Sequence, residues 1–111
     1  MRIERVVAQL KKELSYIVTQ EIKDPRLGLI TITRIVMTPD LKEATIFFSS
    51  LDDKRQALET LQRAKGYIRS SLARRIRMKF IPVLDFRIDD GLEYSQHISD
   101  LIDEINKDHK G

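Results

Sequence analysis

Hydrophobic positions change their spacing from one stretch of the chain to the next, and each spacing predicts an element. Ile3, Val6, Val7, Leu10, Leu14, Ile17, Val18 and Ile22 recur every three or four residues. This is the apolar stripe of one amphipathic helix over 3–23. Asp24-Pro25 ends it, because the residue before a proline is driven out of the helical region, and Gly28 completes the turn signal. Residues 29–38 are β-branched and aliphatic, which predicts a strand. Its alternation of Ile30 and Ile32 with Thr31 and Thr33 slips after Arg34, as either a β-bulge or burial of both faces would make it do. Pro39-Asp40 marks a tight connection. The next run sets Ala44, Ile46 and Phe48 against Thr45, Phe47 and Ser49, so the two strands read as a hairpin.

Asp52-Asp53 offers an N-cap and an acidic first turn. Leu58, Leu61, Ala64, Ile68, Leu72 and Ile76 then continue at helical spacing to Met78. That is long for one helix with Gly66 in its middle, so two helices are predicted, over 53–65 and 67–78, meeting at a kink around Ala64 and Gly66. Pro82 opens a last strand in which Val83, Asp85, Arg87 and Asp89 alternate with Leu84, Phe86 and Ile88. Gly91 breaks it, and Ile98, Leu101, Ile102 and Ile105 form the stripe of a final helix. Residues 107–111 are expected to fray, leaving a single domain over 1–106. Three strands with one apolar face need helices on that face, which makes the fold class α+β.

Charge adds what periodicity does not show. The net charge is only +3, but it is unevenly placed. Arg63, Lys65, Arg69, Arg74, Arg75, Arg77 and Lys79 fall in one segment without an acid, while acids dominate from Asp85 onward. A concentrated basic segment is the electrostatic footprint of a polyanion partner. Cysteine is absent from the 111 residues, which excludes disulfides and thiolate metal sites and fits a cytoplasmic address. No run approaches the roughly 20 apolar residues of a membrane span, and Met1 to Val6 lacks the apolar core of a signal peptide.

The element order is helix, strand, strand, helix, helix, strand, helix, which is the bacterial-type (type II) K-homology arrangement with one helix added. Glu21-Ile22-Lys23-Asp24-Pro25-Arg26-Leu27-Gly28 resembles the signature after the first helix of the bacterial ribosome-binding factor A family. Thr38-Pro39-Asp40-Leu41 is similar to that family's hairpin turn. Ala64-Lys65-Gly66-Tyr67-Ile68-Arg69, with Leu72, resembles its central helix junction, and Ile81-Pro82-Val83-Leu84-Asp85-Phe86 its last strand. The resemblance runs in order over nearly the whole chain. It implies a non-catalytic assembly factor that binds the immature small (30S) ribosomal subunit and its ribosomal RNA, assists late maturation and rRNA processing, and is associated with growth in the cold. It also implies the family's Ala-x-Gly in place of the Gly-x-x-Gly that clamps RNA backbone in other K-homology domains. Some members carry a long charged C-terminal extension, whereas this sequence stops soon after its expected last helix, and Gly91 stands where many have serine.

The expected RNA-binding residues are Arg63, Lys65, Arg69, Arg74, Arg75, Arg77 and Lys79, joined by Arg26 from the turn. Without function, the same segment would be a solvated face paired with acids elsewhere, and Asp24 and Arg26 would only shape the turn. Phe47, on the face away from the core, is the aromatic placed to stack on a base. His97 and His109 lack partners at metal-ligand spacing, and neither a phosphate loop nor a nucleophile signature occurs. No cofactor, metal, small-molecule substrate or membrane partner is expected, and the chain is expected to be a monomer. The competing reading is a protein–protein adaptor that uses the open sheet face or the acidic last helix.

Overall fold

The computed structural model describes residues 3–89. Helix α1 spans Ile3–Tyr16 and buries Val6, Leu10 and Leu14, one residue per turn. The predicted helix over 3–23 does not run to its end in one geometry. It widens into a π-helical turn, Ile17–Glu21, closed by a bond from the Ile22 N–H to the Ile17 carbonyl at 3.2 Å. Thr19 supplies a local cause: its hydroxyl donates to the Ser15 carbonyl at 2.6 Å and competes with the backbone ladder. The widened turn buries Ile17 and Val18 side by side.

Strand β1 (Ile30–Met37) pairs antiparallel with β2 (Glu43–Ser50), and β2 pairs parallel with β3 (Val83–Ile88), giving sheet order β1-β2-β3. The slip in the β1 pattern is a bulge. The register jumps between Ile32, opposite Phe48, and Arg34, opposite Phe47. With Thr33 as the extra residue, Ile30, Ile32, Ile35 and Met37 all reach the buried face. The hairpin connection is held by Thr38 and Asp40, whose side chains bond at 2.7 Å, and Leu41 adopts a φ of 63°.

A parallel β2–β3 pair needs a crossover, and α2 (Lys54–Arg63) and α3 (Lys65–Arg75) supply it. Asp53 caps α2 by accepting from the Gln56 N–H at 3.0 Å. The helices part at Ala64, whose ψ of 1° leaves the helical region. The kink therefore lies at Ala64 alone: Gly66 is the second residue of α3 and needs no positive φ. Helix α3 also stops at Arg75, with Ile76 extended, so Arg77 and Lys79 stand on the connection to β3 and not on a helix reaching residue 78. Buried Ile46, Phe48, Leu84 and Phe86 of the sheet meet Leu10, Leu14, Leu61, Ile68 and Leu72 of the helices in one core. The expected α+β layering is thus the observed one. The last predicted helix, Gly91 and both histidines lie outside the described residues.

Candidate nucleic-acid interface

The basic segment divides into two groups once it is folded. Lys65, Arg74 and Arg77 make no hydrogen bond or ion pair with a described residue. Among the described residues, Arg63 donates only to the Thr60 hydroxyl, at 3.3 Å, and Arg69 only to the Ile81 carbonyl, at 3.0 Å. Lys79 lies 5.7 Å from the centre of the exposed Phe80 ring. These six therefore keep donors turned outward. Helical geometry sends Lys65 and Arg69 to the flank of α3 that faces the approach to β3, and Arg74 to the flank shared with Tyr67.

Arg75 is held differently. Its guanidinium bridges Glu13, at 3.1 Å, and Glu21, at 2.9 Å, and lies 4.1 Å above the Tyr16 ring. Glu21 is the hub of this arrangement. One carboxylate oxygen accepts from the Ser71 and Tyr67 hydroxyls, both at 2.8 Å, and the other accepts from Arg75. The Ser71 bond, then those of Tyr67 and Arg75, pull the Glu21 carboxyl down to about 2. The same bonds push the Tyr67 phenol and the Arg75 guanidinium above their usual ranges. The π-helical turn brings Glu21 to α3, so one backbone irregularity locks α1 to α3.

Arg26 is likewise committed. Its Nε and Nη2 donate to the two oxygens of Asp24, at 2.9 and 2.7 Å, and its backbone N–H adds a third bond at 3.0 Å. Those bonds, the side-chain one first, hold the Asp24 carboxyl at about 2. Leu27 is buried beneath the turn, and Gly28 closes it at a φ of 66°, which an L side chain adopts only with strain. Between this turn and the α2–α3 junction lies an open cleft of about 410 Å³, lined by Glu21, Lys23, Asp24, Arg26, Arg63 and Tyr67, among others. Sequence reading missed this juxtaposition, since residues 21–26 and 60–67 meet only through the π-helical turn. It also favoured Phe47 as the stacking ring, whereas the Arg34 guanidinium stands 4.5 Å over that ring. No group of three or more metal-ligating side chains occurs among the described residues.

The fold and this flank define a small K-homology-like α+β module with a cationic surface along its central helix pair. The family model of ribosome-binding factor A matches residues 2–102, and the chain belongs to that family. The crystal structure of ribosome-binding factor A from Thermus thermophilus is 32% identical, with a TM-score of 0.72 over 77% of this chain and 92% of that one. Coordinates of the Thermus thermophilus factor fitted into the cryo-EM map of a 30S–RbfA complex are also 32% identical, with a TM-score of 0.67 over 75% of this chain and 90% of that one. The solution NMR structure of a Thermotoga maritima protein is 27% identical, with a TM-score of 0.69 over 79% and 87% of the two chains.

Proposed function

We propose that this chain assists late maturation of the small ribosomal subunit by binding the immature particle through its ribosomal RNA, as a cytoplasmic monomer and without chemistry of its own. Residues 1–106 form the RNA-binding domain. Arg63, Lys65, Arg69, Arg74, Arg77 and Lys79 meet phosphates, while Arg75 and Arg26 hold the scaffold behind them. Binding energy spent on one RNA state over another shifts a population, which is all that an assembly factor of this kind needs to do. A role in rRNA processing, and in growth in the cold, follows if the held state is the one that processing enzymes act on.

One observation carries this reading: in a chain of the ribosome-binding factor A family, six cations of one segment form no ion pair with a described carboxylate. The 30S complex of the Thermus thermophilus relative supports the choice of partner. Affinities for small subunits purified from immature and mature pools test it. Tighter binding to the immature pool is expected. Equal affinity for both pools, or none for either, contradicts the assembly role. A particle that binds equally well after its exposed RNA is digested points to a protein partner instead.

A further inference from the structure

The cleft beside the α2–α3 junction has a use that phosphate neutralisation along the helices does not cover. Its volume of about 410 Å³ lies in the range of sites that hold one small organic group. Tyr67, 47% exposed, stands on its wall with the hydroxyl fixed to Glu21 at 2.8 Å. That bond ties down the outer end of the ring. No described guanidinium or ammonium covers its face, in contrast to the rings of Tyr16 and Phe47. A half-exposed ring oriented by its own phenol is a platform on which any base can stack.

The charges around the ring fit the rest of a nucleotide. Asp24 is paired with Arg26, and Glu21 shares the Arg75 guanidinium with Glu13, so each carboxylate that lines the cleft has a cation bonded to it. Lys23 makes no bond to a described residue, and Arg63 retains all but one of its donors. These two cations flank the ring from the turn and from the end of α2. Ion-paired carboxylates lie beneath, and at the rim stand two cations with donors to spare, which is the arrangement a single unstacked nucleotide needs: a flat surface for the base and available donors for its phosphate.

We infer that this cleft takes one unpaired nucleotide of the RNA, its base on the Tyr67 ring and its phosphate between Lys23 and Arg63. The inference rests on the RNA-binding reading proposed above and gives it a second contact on the α1 side of the junction. Stacking one base on an aromatic ring is worth ~1–3 kcal/mol, about 5- to 150-fold in affinity. Tyr67→Leu removes the ring from a half-exposed position outside the core, whereas Tyr67→Phe keeps the ring and loses only the hydroxyl bond.

The experiment measures binding of the full chain to immature small subunits whose RNA carries 4-thiouridine, followed by photo-crosslinking and peptide mapping. The expected result is a uridine adduct within residues 64–69, a loss of about 5- to 150-fold for Tyr67→Leu, and binding by Tyr67→Phe within about threefold of the wild type. Wild-type binding that Tyr67→Leu leaves unchanged overturns the cleft assignment while the ribosomal reading stands. So do uridine adducts of the bound wild type that all map outside residues 64–69. A wild-type chain that binds no small subunit overturns both.

Discussion

Gly66 offers a test in which the structure decides a sign that the sequence leaves open. It is the second residue of α3, it needs no positive φ, and a Cβ built on it meets nothing within 4 Å. An alanine there fits without strain and restricts the unfolded chain, a gain of about 0.5–1 kcal/mol. A chain of 111 residues has an unfolding entropy of roughly 230 cal/mol/K near its midpoint. Gly66→Ala should therefore raise Tm by about 2–4 °C in scanning calorimetry. Gly28 is the internal contrast. Its φ is +66°, and a Cβ would sit 2.6 Å from the Asp52 Oδ2 that accepts the Leu29 N–H at 2.8 Å. Gly28→Ala should cost about 1–2 kcal/mol for the left-handed backbone, and more if Asp52 is displaced. The two sites share no partner, so the double variant should show the sum of the single effects within about 0.5 kcal/mol. A fall in Tm for Gly66→Ala would refute the placement of the kink at Ala64 and put the left-handed or crowded position at Gly66 after all.

Two further expectations follow from local geometry. Deleting Thr33 leaves Ile-Thr-Ile-Arg-Ile-Val-Met over the strand, a regular alternation that keeps Ile32 opposite Phe48 and Arg34 opposite Phe47. The variant should fold, losing about 0.5–1.5 kcal/mol with the Thr33–Asp89 hydrogen bond, and NMR should show the Arg34–Phe47 pairing intact; an unfolded product contradicts the bulge. The second concerns acid. Glu21 has its carboxyl lowered from the usual 4.5 to about 2, so the stability it contributes is whole above pH 4.5 and is lost as pH falls toward 2. Tm of Glu21→Gln should lie below the wild type at pH 7 and approach it between pH 4.5 and 2, and parallel profiles would show that Glu21 is not the hub.

How much could be read beforehand depends on whether the determinant is local. The strands, the Asp53 cap and the helix pair were legible because period and capping chemistry act over a few residues. The slip after Arg34 signalled the bulge, but burial of both faces would look the same in a single strand. Only the register against Phe47 and Phe48 separates the two. Gly66 attracted the kink because glycine is the weakest helix former in the segment, yet the backbone breaks two residues earlier, where Ala64 ends α2. The π-helical turn leaves Val18 and Ile22 looking like a continued stripe, so the sequence hides the rotation that carries Glu21 to Ser71, Tyr67 and Arg75. For that reason Arg75 looked like a free cation. Its carboxylate partners Glu21 and Glu13 are 54 and 62 residues away, whereas the partner of Arg26, Asp24, is two residues away in a turn that the pair was expected only to shape if it met no RNA.

The outward-facing cations of residues 63–79 are tested most directly by the salt dependence of binding to immature small subunits. Affinities of the wild type and of Arg74→Glu/Arg77→Glu would be compared from about 50 to about 200 mM salt. Each lost phosphate contact should reduce the slope of log K against log salt by ~0.7–0.9, so the double variant should bind more weakly and with a slope shallower by roughly 1.5. Neither residue bonds to a described neighbour, so its circular dichroism and Tm should match the wild type. Equal affinity and equal slope for the two proteins, with the fold intact, would contradict the account.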